Sequence, residues 1–165
     1  MTIRPAGIED LDTVVSLLQQ ACATVAQRFG LTMENCPKSP AFYTHDRARD
    51  DLARGVRYFL LEENGTACAC VALEQAKPDL VYLERLAVLP EQRRRGYGQA
   101  LVRHALAQAN TLGVRRVEIG IISEDAELQD WYGRFGFVQT GTKRFDHLPF
   151  GVAFMAKQLG NDIES

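Results

Sequence analysis

The sequence predicts one α/β domain, a mixed sheet with helices packed on it, spanning residues 1–165. Three observations lead there. The chain has 165 residues, 46% apolar and 24% charged, the composition of a globular chain long enough to bury a core. Segments with helical and strand periodicity alternate in the order β-α-α-β-β-β-α-β-α-β-β. Glycines at 30, 55, 113 and 136 and the pair Asn64-Gly65 punctuate these segments, with no repeat, linker or low-complexity stretch between them.

"TIRPA" reads as a short strand that stops at Pro5. Ile8, Leu11, Val14, Val15, Leu18, Cys22 and Val25 recur at helical spacing, with Glu9 and Asp10 at the positive end and Gly30 as the stop. Residues 31 to 44 hold Pro37 and Pro40 and read as a loop; "THDRARDDLARG" is a short polar helix ending at Gly55. A strand series follows: "VRYFLLEE", a hairpin turn at Asn64-Gly65, "TACACVALEQ", a break at Lys77-Pro78-Asp79, and "LVYLERLAV". Apolar positions 101, 102, 105, 106, 109 and 112 make a helix closed by Gly113. "VRRVEIGII" is a strand, and Leu128, Trp131, Tyr132 and Phe135 form one face of a last helix, ended by Gly136. "FVQTGTKRF" and "VAFMAKQL" close the chain as strands, and two copies could pair through these late strands into a homodimer.

Net charge is −2, from 19 bases and 21 acids, so the protein as a whole is no polyanion binder. From Arg85 to Arg116, however, seven arginines face one acid, Glu91, giving +6 on a remainder of −8. A local cationic patch on an acidic body suits a small phosphorylated ligand better than a nucleic-acid track, and no base-stacking motif accompanies the arginines. Cys22, Cys36, Cys68 and Cys70 show no CxxC and no metal-ligand spacing. Alternation places Cys68 and Cys70 on one strand face, where parallel Cβ vectors disfavour a bridge; reduced buried thiols are expected. The N-terminus has acids and no apolar segment of the signal-peptide kind, and no run approaches the ~18 apolar residues of a membrane span. A soluble cytoplasmic protein, with neither metal nor membrane partner, is the expectation.

"EQRRRGYGQALV" needs a ligand. It lies where a strand ending at Val88 turns into a helix beginning near Gly98. The first N–H groups of such a helix have no internal partner, and the aligned peptide dipoles add positive charge, so the turn attracts phosphate. Gly96 and Gly98 lack Cβ atoms and let an anion approach the backbone, while Arg93, Arg94 and Arg95 add attraction and direct donors. A dinucleotide fingerprint would need glycine at Leu101, and a Walker loop would need a G-K pair; neither is present.

"LERLAVLPEQRRRGYGQALV" resembles the central motif of the GCN5-related N-acetyltransferases: a strand ending L-x-V-x-P, then [RQ]-x-x-G-x-[GA] and a helix. "WYGRFGF" is similar to the family's later L-Y-x-x-x-G-F motif, and "IRPAGIEDLD" to its opening. The resemblance covers nearly the whole chain. It implies a mostly antiparallel mixed sheet of six or seven strands with about four helices, and transfer of acetyl from acetyl-CoA, as cosubstrate, to a primary amine by direct attack through a tetrahedral intermediate. It further implies that Leu86, Ala87 and Val88 pair with the pantetheine arm like an added strand. The pyrophosphate would then lie against Arg93, Arg94, Arg95, Gly96, Tyr97, Gly98 and Gln99. Asp125 stands where the family often has an asparagine against the CoA arm, and it cannot donate as an amide does. Leu128 replaces a usual small residue.

Such a reaction needs a base for the ammonium, a donor for the oxyanion and an acid for the departing thiolate. Glu84, a carboxylate in the midst of an apolar strand, is the first candidate base; by alternation it shares a face with Tyr82, Leu86 and Val88. A salt bridge is its plainer reading, and Glu118 is the second candidate. By resemblance, Tyr132 is the acid and a main-chain N–H near Leu86 or Ala87 the oxyanion donor. A core aromatic is the plainer reading of Tyr132. His45, His104 and His147 have no sequence partner for nucleophilic catalysis, and His104 reads as a surface residue. The loop from Leu31 to Thr44, with Phe42 and Tyr43, and the turn 146 to 151 are expected to shape the acceptor pocket, for a small-molecule or peptide amine. The acidic remainder favours a cationic amine. The other class of reading is a catalytically silent acyl-CoA-binding regulatory module.

Overall fold

The computed structural model describes residues 1–160, and its elements follow the expected order. They are β1 (Thr2–Pro5), α1 (Leu11–Phe29), α2 (His45–Ala53), β2 (Arg57–Glu63), β3 (Thr66–Lys77), β4 (Leu80–Val88), α3 (Tyr97–Leu112), β5 (Arg116–Ile122), α4 (Ala126–Gly133), β6 (Val138–Arg144) and β7 (Gly151–Gln158). Seven strands make one mixed sheet in the order β1-β2-β3-β4-β5-β7-β6. Every neighbouring pair is antiparallel except β4 and β5. None of the described helices is long and apolar enough to cross a membrane.

Apolar spacing puts helices on both faces. On one, Leu101, Val102, Ala105 and Ala109 of α3 and Tyr132 of α4 pack with Val71, Leu73, Val81 and Leu83 of the sheet. On the other, Leu11, Val14 and Leu18 of α1 pack with Tyr58, Leu60, Cys70 and Ala72. Two of the expected glycine stops are helix caps: Gly30 and Gly113 sit at φ 65° and 76°, the left-handed region that closes a helix, whereas α2 and α4 close earlier, on Arg54 and Arg134, with Gly55 and Gly136 in the turns that follow. Asn64 and Gly65, at φ 53° and 78°, make the β2–β3 hairpin turn. Ile8 departs from the expected apolar stripe. It belongs to a short 3-10 turn before α1 and is exposed.

Two bulges overturn face assignments made by strict alternation. In β3 the register steps from Ala67 to Ala69 while β2 advances one residue, so Cys68 is an insertion. Cys68 therefore lies on the α3 face and Cys70 on the α1 face; the two thiols do not share a side, and all four cysteines are free. In β4, Glu84 pairs with Ala72 and Ala87 with Cys70, so Arg85 and Leu86 together oppose Val71. Arg85 is the residue at positive φ, 53°. Glu84 consequently shares its face with Tyr82 and Ala87, while Leu86 and Val88 pack on the α3 side. His104 is also not a surface residue. It is half-buried, edge-on to Phe59 at 4.7 Å, and its Nε2 is enclosed without a partner. Burial lowers its pKa.

Candidate active site

The parallel pair β4–β5 holds for three residues only: Leu80, Val81 and Tyr82 against Arg116, Val117 and Glu118. Beyond Tyr82 the strands part. Between them opens a cavity of about 570 Å³, lined on one edge by Leu83 to Leu86 and on the other by Ile119 to Ile122. Tyr132, Leu128 and Asp125 line it as well, and Cys22, Leu31, Cys36 and Phe150 wall it elsewhere. A second cavity, of about 440 Å³, lies over the turn after β4 and is lined by Val88, Gln92 to Arg94, Gly96 to Gln99 and Trp131.

That turn is a ready anion cradle. Gly96, at φ 81°, is the N-cap of α3, and Arg94 is also left-handed at φ 67°. The backbone N–H groups from Arg94 to Gln99 donate to no acceptor among the described residues; the first bond of the turn is Ala100 N to Gly96 O at 3.0 Å. Six N–H groups without an acceptor among the described residues, at the positive end of a 16-residue helix, suit a diphosphate. Gly98 has room of a specific kind: a Cβ there would stand 3.5 Å from the Trp131 ring and 3.8 Å from Val88, both walls of the cavity.

The three arginines divide. Arg93 is an internal tie: Nε donates to Val88 O (3.2 Å), and Nη2 to Ala21 O (2.8 Å) and Thr24 Oγ1 (3.2 Å). Its guanidinium thus fastens the turn to α1 through Nε and Nη2, while the residue still lines the second cavity. Arg94 and Arg95 are exposed and make no ion pair among the described residues. Tyr97 is buried, with its hydroxyl on Glu63 Oε2 at 3.3 Å, so it offers the cradle its N–H and not its side chain. Gln99 is exposed at the start of the helix.

Backbone direction selects among Leu86, Ala87 and Val88. Leu89 N donates to Cys68 O at 2.9 Å, and alternation then turns Ala87 toward β3 as well. Leu86 and Val88 turn their N–H and C=O groups to the gap. Ala87 is removed as an oxyanion donor; Leu86 remains.

Glu84 is half-buried, lines the large cavity, and its Oε1 is enclosed with no hydrogen-bond partner. Burial pushes its carboxyl above the usual glutamate range, against the opposing pull of Arg85. Glu118 also lines the cavity, but Arg116 Nε lies 2.7 Å from its Oε2, in an ion pair without the alignment of a hydrogen bond. Tyr132 is 5% exposed, and burial raises its phenol, which keeps it protonated at neutral pH. Trp131 and Phe137 hold its ring edge-on at 5.0 and 5.6 Å. Asp125 caps α4, accepting from Leu128 N at 3.2 Å, and lies 3.6 Å from Arg28 Nη1. A carboxylate performs this capping as well as an amide would.

Expected pocket residues fared unevenly. Pro40, Leu31 and Cys36 from the first loop and Phe150 from the later turn line the cavity. Tyr43 is wholly buried and reaches Asp51 and Tyr58 instead; His147 is exposed and outside the cavity lining. Sequence reading missed Arg85, which lines the cavity with Glu84. Only its place beside Glu84 within an apolar strand could have signalled it.

Comparisons with known proteins agree with this fold. A stretch of 105 residues is 30% identical to the amino-acid acetyltransferase of Neisseria meningitidis serogroup A, covering 62% of this chain and 22% of that protein. The chain thus spans about a fifth of that relative's length. The fold matches the ribosomal-protein-S18-alanine N-acetyltransferase from Escherichia coli, with a TM-score of 0.77 at 20% identity over 98% of this chain and 97% of that one. It also matches yncA from Salmonella typhimurium, whose structure holds its cofactor acetyl-CoA, with a TM-score of 0.72 at 19% identity over 98% and 95%. The model of the acetyltransferase (GNAT) family matches residues 18–137, nearly three quarters of the sequence. The chain belongs to the acetyltransferase (GNAT) family.

Proposed function

We propose that the protein moves acetyl from acetyl-CoA to a primary amine by direct attack. The observation that carries this is the gap between β4 and β5, which opens beside an unsatisfied N–H cradle and contains a partnerless carboxylate and a buried phenol. The cradle from Arg94 to Gln99 fits a diphosphate, and the outward backbone of Leu86 and Val88 fits an amide-bearing arm laid as an extra strand, although Arg93 already occupies Val88 O. Acetyl-CoA, when bound, supplies an activated acyl carbon and a thiolate leaving group.

The chain's residues supply the rest. Glu84 accepts the proton of the acceptor ammonium; its raised pKa brings it nearer to working pH, where a base is most effective. Leu86 N–H donates to the acyl oxygen as charge develops there. The C–N bond forms first, giving the tetrahedral adduct; as the C–S bond then breaks, Tyr132 gives its phenolic proton to the sulfur, its phenolate regains a proton from the new amide nitrogen, and Glu84 releases its own to solvent.

Thiol release, measured with acetyl-CoA and a panel of amines, tests the reading. The expected result is release that requires both reactants. CoA binding by calorimetry without release on any amine would leave only a binding module, and no CoA binding would remove the site altogether.

A further inference from the structure

Arg85 is the feature that acetyl transfer to a bare amine does not use. A bulky side chain at φ 53° inside a strand is rare and concentrates where a site demands it. The bulge has a definite effect. It brings Arg85 to the same face as Glu84, where it meets Tyr58, Asp51 and the Tyr43 ring. An ordinary strand would have put these neighbouring side chains on opposite faces.

The guanidinium is fixed from one corner. Nη1 donates to Tyr58 hydroxyl at 3.3 Å and lies 3.4 Å from Asp51 Oδ2, and the group stacks over Tyr43 with its carbon 5.1 Å from the ring centre. Asp51 is not its private counter-ion, because Arg54 Nη1 lies nearer, 2.8 Å from Asp51 Oδ1. Nε and Nη2 of Arg85 donate to no described residue, and the side chain is 16% exposed. These two donors form one side of the guanidinium fork, the side that takes a carboxylate in paired fashion. Arg85 and Glu84 both line the large cavity, whose remaining wall is mainly apolar: Val25, Leu31, Pro40, Phe150, Val152 and Phe154.

We propose that Arg85 binds a carboxylate on the acceptor, and that the acceptor is a small α-amino acid with an apolar side chain. The assignment rests on the acetyl-transfer reading above and narrows it. Glu84 receives the ammonium, Arg85 the carboxylate, and the apolar walls the side chain. A long polyamine or an aminoglycoside offers no carboxylate to Arg85 and no apolar body to these walls.

The test compares leucine, methionine and phenylalanine, each with its decarboxylated amine, by thiol release with acetyl-CoA. Decarboxylation keeps the amine and the apolar body and removes only the anion. The wild type should favour at least one amino acid over its own amine by tenfold or more in kcat/KM. R85Q should bring that ratio down to near one, mainly through the KM of the amino acid, as expected for a severed charge pair, and R85K should restore part of it. Equal use of amino acid and amine by the wild type, or a ratio untouched by R85Q, would overturn the assignment while leaving acetyl transfer intact. Release with other amines and none with any of the amino acids would overturn it too. The wild-type ratio needs no variant, so a misfolded R85Q does not rescue the idea.

Discussion

Gly98→Ala should make the protein more stable and its CoA binding weaker, and Gly96→Ala should worsen both. Gly98 is the second residue of α3, and its φ lies outside the left-handed region. Alanine there removes a glycine from a helix, worth about 0.4–1 kcal/mol of stability. The new Cβ meets Trp131 at 3.5 Å and Val88 at 3.8 Å, ordinary contact distances, so no strain offsets the gain. Those neighbours are also the walls of the cavity over the cradle, so the methyl group stands where a diphosphate must approach. Losing one charge-assisted hydrogen bond to the backbone costs about 1.5–3 kcal/mol, roughly 10- to 100-fold in affinity. Gly96 differs. Its φ of 81° costs alanine about 1–2 kcal/mol, with no neighbour within 4 Å to add to or relieve it. For a chain of this size each kcal/mol moves Tm by roughly 2–4 °C, so thermal melts resolve the opposite signs, and calorimetric titration with CoA reads the affinities. A Gly98→Ala protein that binds CoA as the wild type does would refute the cradle as the diphosphate site.

Tyr132→Phe should lower kcat by ~10²–10⁴-fold with CoA affinity nearly kept, because its ring packing survives and only the proton donor is lost; an unchanged kcat in steady-state assays removes the acid role. Glu84→Gln should depress the rate most between the raised carboxyl pKa and the pKa of the acceptor ammonium if Glu84 is the base, because below that window the wild-type carboxyl is itself protonated and above it the amine needs no base; a parallel loss at all pH values would point to positioning instead. It should also stabilise the fold at neutral pH. The folded carboxyl is raised, so its ionised form is disfavoured above that pKa; the stability gain of the glutamine should vanish as pH falls below the ordinary glutamate range, followed by urea unfolding at several pH values. Deleting Arg85 should leave a cooperatively folding protein whose thiol release falls by at least ~10³-fold, read by melting and by turnover.

Periodicity carried most of the fold into view. α1 and α3 were legible because their buried residues recur at helical spacing and end at left-handed glycines, and the β2–β3 hairpin because Asn64-Gly65 supplies two positive φ angles. The cradle was legible from Gly96 and its neighbours. The roles of the arginines were not. Arg93, Arg94 and Arg95 are chemically identical, and only the approach of Ala21 O and Thr24 from a distant helix makes Arg93 a tie. Glu84's face failed for a related reason. Alternation assumes that every residue advances the strand equally, and one inserted residue breaks that count without leaving a composition signal. The pocket walls come from Cys22, Phe150 and Phe154, which lie far apart in sequence and meet only through the sheet order.

The deletion prediction shows how much of the site one residue creates. Without Arg85, β4 would read Leu83, Glu84, Leu86, Ala87, Val88, and strict alternation would put Leu83, Leu86 and Val88 on the α3 face and Glu84 and Ala87 on the α1 face. Those are the faces they occupy now. The hydrophobic pattern is therefore that of a regular strand with a single residue added. Asp51 would keep Arg54 at 2.8 Å, so removing Arg85 would not leave that buried carboxylate unpaired. The core thus has little reason to fail. The gap has every reason to close, because a bulge bends its strand and increases local twist, and here it lies just past Tyr82, where β4 leaves β5. A straightened β4 could extend its parallel pairing toward Ile119 and Gly120, covering the edge on which the acyl arm would lie. Wild-type turnover in the deletion variant would show that the strands part for some other reason, and would detach the site's geometry from the one residue that distinguishes β4 from an ordinary strand.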